Sequence, residues 1–427
     1  MAMITNRLKE VWRQHPYPSL FLLGLVIRLV ALPFLPERVG QEHLEMAEHL
    51  LNGHGYVYEQ DYPSTYLAPF YVIFLFYFLN FFPSPMNILL IKLFQIFLSA
   101  LLPPILFFLG ERIFGPKTGL LAALICLVYP PFIALPSTLV VDAFLVPWIF
   151  LLLLLIVFWR DSLCFWKTIV LGVMAGVSLL TKMRSLAFLL PLWGWLLLPI
   201  IQVLFSPAAK REERKRNQFL FSKLLLISLM IGICLLVISP WVFRNYQITG
   251  SLSLEHNFGY NFWIGNNPNA NVLGKYSSTE IRYPRPAELV ARLNLAKNDH
   301  ERDRIFLKEG LQFWKSHPWQ GLWLTLKKMV FFWWIDTINP RTQSLFYIFP
   351  ALCISLSALA GLFYPGLLWK GVGGVLLCVL GLHYLSVILT FYIPRLRLSV
   401  EPVLFLYAAA FWVQLMCKGQ GRRLTVS

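Results

Sequence analysis

Polar and apolar positions fall in long blocks along this chain rather than in short alternations. Apolar runs of about 18 residues or more, enough to cross a hydrocarbon core of roughly 30 Å, recur almost to the C-terminal end. They predict transmembrane helices over 19–35, 88–110, 118–135, 139–159, 167–182, 185–205, 220–239, 344–364, 372–392 and 398–416, about ten in all. The run 68–82 differs: about 15 residues give roughly 22 Å of helix. Pro69 and Pro83 bound it. A juxtamembrane or re-entrant helix is expected there, within an all-α polytopic membrane fold.

The first polar block after a span, residues 40–69, is dense in charge, with Glu42, His43, Glu45, Glu48 and His49 close together. Leu44, Ala47 and Leu51, with Met46 and Leu50, fall on one side of a helical wheel, and Glu42, Glu45 and His49 on the other. The pattern predicts an amphipathic helix over about 41–52, lying in the membrane interface with its acids towards water or a cavity. Glu42 stands in the first turn, where free N–H groups favour a carboxylate. Asn52-Gly-His-Gly55 stops the helix, its glycines free to take positive φ.

Composition sharpens this picture. At 57% hydrophobic and 14% charged, with 35 Phe and 15 Trp, the chain is no soluble globular protein. The net charge of +16 is carried mostly by short loops beside spans, which speaks against nucleic acid as a partner. If 68–82 does not cross, loops 111–117, 160–167, 206–219 and 365–371, together with Lys418, Arg422 and Arg423, share the cytoplasmic side with Arg7, Lys9 and Arg13. If it crosses, the positive-inside bias is broken at 111–117 and again at 210–216. The expected location is therefore the cell inner (plasma) membrane, with 21–35 as a signal anchor. The expected division is a 1–239 transmembrane module with its first outer loop at 36–87, an outer region 240–343, and C-terminal helices over 344–427. Within the outer region, 286–316 reads as a charged helical stretch, 319–334 as an aromatic one, and 250–283 as ordered loop. The six cysteines are dispersed and show no metal or disulfide spacing.

The same orientation gathers Glu42, Asp142, Lys182, Arg184, Arg244, Arg395 and Arg397 at the outer ends of spans or in outer loops. Asp142 opens an uninterrupted apolar run, so it either faces a cavity or cation or serves as an acid of the first helical turn. Arg244, in Ser239-Pro-Trp-Val-Phe-Arg-Asn-Tyr246, offers a planar fork of donors suited to phosphate. Arg395 and Arg397 run against the positive-inside trend, which an anionic ligand or snorkelling to lipid headgroups would explain. His43, His49 and His54 lack a metal-ligand pattern and read as polar surface, and His383 as a hydrogen-bonded structural residue. No P-loop, dinucleotide fingerprint or nucleophile elbow is present. No internal repeat appears, which weakens an inverted-repeat transporter.

Taken in order, these residues resemble GT-C-fold glycosyltransferases. The matching pieces are an acid after the first span, the helix ending Ala-x-x-Leu-Leu-x-Gly-x-Gly-Tyr56, Pro240-Trp-Val-Phe-Arg-Asn-Tyr246, Gly259-Tyr-Asn-Phe-Trp-Ile-Gly-Asn-Asn-Pro268 and Tyr392-Ile-Pro-Arg-Leu-Arg-Leu-Ser-Val-Glu-Pro402. The nearest likeness is to bacterial relatives of dolichyl-phosphate-mannose protein mannosyltransferases and of lipid A aminoarabinose transferase. The resemblance implies a polyprenyl-phosphate-linked sugar donor and a protein, lipid or glycan acceptor. It implies an inverting transfer at the outer face, with Glu42 as general base and Asp142 as a second acid. The common family pattern has an Asp where Val39 stands; the alignment followed here is that of a subset with Glu at the place of Glu42. A family lysine for donor phosphate has no counterpart near Leu67, and Arg244, Arg395 and Arg397 take its place. Glu45, His49, Tyr56, Tyr260 and Trp263 are candidate substrate contacts. A divalent metal between Glu42 and Asp142 is left open. The other classes that would use such groups are a transporter or flippase of lipid-linked saccharides and a polymerase or ligase of whole glycans.

Overall fold

The computed structural model describes residues 14–35, 38–39, 41–59, 62–204, 213–270, 285–333, 344–363 and 371–419. The chain enters through α1 (Pro16–Ala31). The first outer loop follows, with α2 (Gln41–Leu51) and α3 (Pro69–Phe81). Then come α4 (Met86–Ala100), α5 (Leu102–Phe114), α6 (Pro116–Val128), α7 (Pro130–Ala134), α8 (Val141–Trp159), α9 (Phe165–Thr181), α10 (Leu186–Leu204) and α11 (Glu213–Thr249). Residues 250–333 carry α12 (Phe258–Ile264), α13 (Ala287–Asn294), α14 (Asp299–Ser316) and α15 (Pro318–Trp333). The chain ends with α16 (Leu345–Leu362), α17 (Gly371–Leu389), α18 (Pro394–Arg397) and α19 (Glu401–Gly419).

This is an all-helical, multi-pass membrane protein, but not ten uniform spans. Among the described residues, six helices are long and apolar enough to cross: Pro16–Phe34, Met86–Phe114, Val141–Ser162, Met183–Leu204, Asn217–Thr249 and Gly371–Leu389. The expected span 118–135 is broken by a 62° bend between Val128 and Pro130. Tyr129 takes extended backbone (ψ 114) before Pro130, as the residue before a proline prefers. The expected spans 167–182 and 344–364 form as shorter apolar helices, and the last begins at Glu401, behind the short turn of α18. The span expected to stop at 239 instead runs through Pro240 to Thr249. Proline frees the carbonyl four residues back, and the Ser239 hydroxyl donates to that oxygen, Leu236 O, at 2.9 Å.

In lipid, helices associate by close packing of small residues. A Cβ on Gly172 would collide with Met230 O and Ile233, and one on Gly176 with Val237, so Gly172-x-x-x-Gly176 lets α9 lie against α11. The deepest helix start is that of α19, where every residue from Glu401 to Ala410 is buried.

Two short backbone strands, β1 (Arg38–Val39) and β2 (Thr138–Leu139), pair in parallel, with Arg38 opposite Thr138 and Val39 opposite Leu139. This pairing carries the first outer loop to the N-terminus of α8. Further ties reinforce it: the His43 ring stands edge-on to Tyr71, whose hydroxyl donates to Gln95 Oε1 at 2.8 Å. Gln95 Nε2 in turn donates to Thr138 O at 2.9 Å. Met46 and Ala47 are fully buried against α3, as the amphipathic pattern requires, whereas Leu51, expected on that face, is exposed. The helix closes at Gly53, φ 78°, with His54 N donating to His49 O and Gly53 N to Leu50 O, a Schellman close.

The stretch 286–316 forms two helices rather than one. Asn298 breaks it, its side chain accepting from Glu301 N at 3.0 Å to cap α14. Lys210, Arg211, Arg422 and Arg423 lie outside the described residues.

Candidate functional site: a charged recess between the first outer loop and the end of the helical bundle

The recess forms where the first turns of α2 and α8 meet the 3-10 turn Met183–Ser185 and the start of α18. Asp142, in the first turn of α8, is fully buried. Lys182 Nζ donates to its Oδ1 at 3.0 Å, and Arg395 Nε stands 3.3 Å from Oδ2. Both cations keep part of their surface open. Two positive groups are thus held by one buried carboxylate, which satisfies the requirement that a buried charge be paired.

Glu42 lies over these cations. Arg395 and Lys182 are the charges that pull its pKa down most, yet burial outweighs them and holds its carboxyl above the usual range. No hydrogen bond or ion pair to it is found among the described residues. Its surface is partly open although protein surrounds it on most sides. A carboxylate of this kind, raised in pKa and unengaged, is suited to take a proton. His43 beside it is pushed down to about 3 by burial and by Arg395 and Lys182, so it stays neutral.

A third cation, Arg184, follows in the same 3-10 turn. Its Nη1 is buried without a hydrogen-bond partner among the described residues. Glu255, which no motif singles out, sits close to Lys182 and Arg184 and accepts from the backbone N–H groups of Met183 and Ala68. Burial raises its pKa and the two cations oppose that rise. Glu255 therefore fastens the Lys182–Arg184 turn to the start of α3. Only a lone Glu in a loop marks it in the sequence.

Several expected donor-phosphate and substrate residues have other occupations. Arg397 is buried and turned inward: Nε lies 2.9 Å from Glu401 Oε1, and Nη1 donates to Phe332 O and Ser355 Oγ. Arg397 thus directs these donors into the core rather than towards Asp142, unlike the phosphate role expected of it, while Glu401 Oε2 stays buried without a hydrogen-bond partner among the described residues. Arg244 stacks over Trp241 and Tyr56 and donates to Ser64 O at 3.0 Å, bracing the first outer loop away from Asp142. Tyr56 is buried with its hydroxyl on Leu67 O, and Trp263 is buried against Phe306, so neither offers a free surface. Of the three expected arginines, Arg395 alone joins Glu42 and Asp142. Lys182 and Arg184 complete the set.

Glu45 and His49 lie 3.9 Å apart on the outer side of α2, and His54 approaches His49 at 3.5 Å. Among the described residues no group of three or more His, Cys, Asp or Glu is placed to hold a metal. Asp142 Oδ1 accepts from Lys182, while Oδ2 is buried with Arg395 Nε at 3.3 Å and no hydrogen-bond partner among the described residues. His383 Nε2 donates to Leu396 O at 2.7 Å, as a structural residue.

The motif Gly259–Pro268 has a packing role. A Cβ on Gly259 would collide with the Asp303 backbone, and one on Gly265 with that of Thr390. Asn266 Nδ2 donates to Phe262 O and Leu389 O. The motif thus seats α12 on α14 and on the end of α17, just ahead of Arg395. Tyr260, within it, reaches the recess: its ring meets Tyr66 edge-on at 6.2 Å and lies in the field of Glu42.

A family model described as dolichyl-phosphate-mannose-protein mannosyltransferase matches residues 67–243. The match is to the family that the sequence motifs resemble. It covers less than half of the chain and includes Asp142, Lys182 and Arg184. No curated protein matches the sequence. Among solved structures the chain is similar to ArnT from Cupriavidus metallidurans bound to undecaprenyl phosphate. The identity is 14%, covering 95% of this chain and 79% of that one, with a TM-score of 0.41. The apo state of the same protein gives 14% identity, 93% and 78% coverage and a TM-score of 0.40. Likeness at that level assigns no residue a role.

Proposed function

We propose that this protein is a membrane glycosyltransferase that moves a sugar from a polyprenyl-phosphate-linked donor to an acceptor at the outer face of the cell membrane, inverting the anomeric centre. The observation that carries the reading is the recess itself: an unengaged carboxylate, Glu42, set beside Lys182 and Arg395, with Arg184 following in the same turn as Lys182. The family match over 67–243 supports it, since that family is described by a sugar carried on a polyprenyl-type phosphate.

The donor phosphate rests against Lys182, Arg184 and Arg395, and its isoprenoid tail lies in the bilayer beside the helices. Asp142 keeps Lys182 and Arg395 in place without neutralising Arg184. An acceptor hydroxyl gives its proton to Glu42 as its oxygen bonds to the anomeric carbon. The bond from that carbon to the phosphate oxygen breaks on the opposite face and its electron pair leaves with the polyprenyl phosphate. The three cations stabilise the charge gathering there, which is where preorganised electrostatics contribute most. A lipid phosphate is already a good leaving group, so the step needs no nucleotide.

Sidedness rests on α8. Asp142 opens that helix, and Arg160, which receives Lys223 Nζ on its carbonyl and lies near Arg112, follows its other end. The two ends stand roughly 27 Å apart at 1.5 Å per residue. Arg112, Arg160 and Lys223 gather near one end of α8 and the recess lies at the other, and the positive-inside bias gives that basic end to the cytoplasm.

The test is release of polyprenyl phosphate from a radiolabelled polyprenyl-phosphate sugar by the purified full-length protein. Release by wild type and its loss in Glu42→Gln, with donor binding kept, support the reading. Equal release by both removes Glu42 as the base.

A further inference from the structure

Beyond Glu42, on the side away from the cations, the recess changes character. Tyr58 lies flat on Tyr66, ring centres 5.2 Å apart and planes within 13°. Tyr260 meets Tyr66 edge-on, and Arg285 covers the Tyr260 ring at 5.6 Å. Tyr66 is the one ring partner of Tyr58 among the described residues, so one face of the stack is left uncovered by aromatic neighbours. Neither the Tyr58 nor the Tyr66 hydroxyl has a hydrogen-bond partner among the described residues. Both side chains keep part of their surface open.

The charges acting on the Tyr58–Tyr66 stack are mostly carboxylates, with Arg285 and Arg302 nearby. After burial, the groups that act most on Tyr58 are Glu42, Glu59 and Glu45, and Glu42 leads again at Tyr66. Glu59 holds a left-handed backbone, φ 54°, unusual for a residue with a side chain, and its carboxylate stands 3.9 Å from Arg302. Arg302 and Arg285 lie at the outer edge; the inner edge is Glu42. The base therefore sits on the border between a cationic half and an aromatic, carboxylate-rich half.

We infer that the aromatic half, with the Tyr58–Tyr66 stack at its centre, is the acceptor subsite and that it takes a neutral saccharide. The inference rests on the glycosyltransferase reading above. A flat aromatic stack presents its face to the C–H side of a sugar ring, and free phenol and carboxylate oxygens exchange hydrogen bonds with its hydroxyls. A phosphorylated headgroup would meet Glu42, Glu45 and Glu59 as like charges, which disfavours it. An extended Ser/Thr peptide would need paired backbone groups along its length, and this half offers ring faces and carboxylates instead. Glu42 is the carboxylate that acts most on both rings, so a sugar held on Tyr58 would turn a hydroxyl towards the base.

Two readouts on the full-length protein separate the inference from the reading beneath it. Saturation-transfer NMR without donor uses neutral hexose and N-acetylhexosamine trisaccharides, the same sugars bearing a phosphate, and a Ser/Thr peptide. Neutral sugars are expected to bind, and Tyr58→Ala to weaken them about tenfold, the size of a lost stacking contact. Tyr66→Leu, which keeps bulk, is expected to act similarly, while donor affinity stays within twofold in both variants. Glu45→Gln with Glu59→Gln is expected to improve the phosphorylated sugars and leave the neutral ones nearly unchanged. Binding of peptide or phosphorylated sugar in preference to neutral sugar, or neutral binding that ignores Tyr58 and Tyr66, overturns the inference. The second readout, donor cleavage, decides the underlying reading: if Tyr58-dependent sugar binding occurs but no donor is ever cleaved, the transferase reading fails and the saccharide site stands.

Discussion

Glu42 owes its chemistry to two opposed influences, burial that raises its pKa and the Arg395 and Lys182 charges that lower it. A base must be unprotonated, so transfer should rise with pH through the raised pKa of Glu42 and level off above it. That acid limb should lie above the ordinary glutamate value of about 4.3. His43 does not contribute, since it loses its proton already near 3. Lys182→Met removes one lowering charge, and the limb should move to higher pH in a pH–rate profile; an unmoved limb would mean that another group titrates. Asp142→Asn should free Lys182 and Arg395 from their shared anchor. The expected outcome is a donor KM raised tenfold or more with a smaller change in kcat, read by steady-state kinetics, because Asp142 acts through the cations it holds. Glu255→Ala should lower activity by loosening the Lys182–Arg184 turn, and Glu255→Gln should recover part of it, since an amide oxygen still accepts from Met183 N and Ala68 N.

At the scale of elements, the helix over 41–52 was legible because its apolar and acidic positions follow a 3.6-residue period and Asn52-Gly53 supplies the stop. The 68–82 helix was legible from its length and its two prolines. What the pattern could not give was how each proline would be handled. Pro130 breaks a helix and Pro240 does not, because Ser239 satisfies the carbonyl that Pro240 frees, a tertiary-scale detail absent from any hydropathy window. Nor does periodicity foresee pairing: Arg38–Val39 with Thr138–Leu139 joins residues a hundred positions apart, and it is this contact that brings Glu42 to Asp142. The same limit explains Arg397 and Arg395. They sit two residues apart in one motif, yet Arg397 turns to Glu401 in the core and Arg395 to Asp142 in the recess. Packing of α9 on α11 depends on Gly176, and Gly176→Leu should force the pair apart. A sharp fall in monodisperse protein on size-exclusion chromatography is expected; unchanged yield and activity would mean that the contact is dispensable.

At the scale of the whole molecule, charge is sorted twice: Arg112, Arg160 and Lys223 near one end of α8 and the recess at the other, then cations and carboxylates within the recess. The sequence expectation for the first sorting is a single choice about 68–82 that puts every basic loop on one side. The second required the fold, since Tyr260, Lys182, Arg184 and Arg395 come from segments far from the loop that carries Glu42, Tyr58 and Tyr66. In intact cells a membrane-impermeant thiol reagent should label Glu48→Cys on the exposed side of α2, with the other cysteines replaced. The exposed native Cys164, retained alone in a second variant, should react only after permeabilisation. The reverse pattern would invert the orientation.

The central claim is that Glu42 and the Lys182–Arg184–Arg395 cluster make one transfer site. Its most direct test is the radiolabelled donor assay with wild type and Glu42→Gln side by side at saturating donor. The account predicts sugar transfer with release of polyprenyl phosphate by wild type and a loss of roughly 10²- to 10⁴-fold in kcat for the variant at unchanged donor affinity. Undiminished turnover by Glu42→Gln would contradict it.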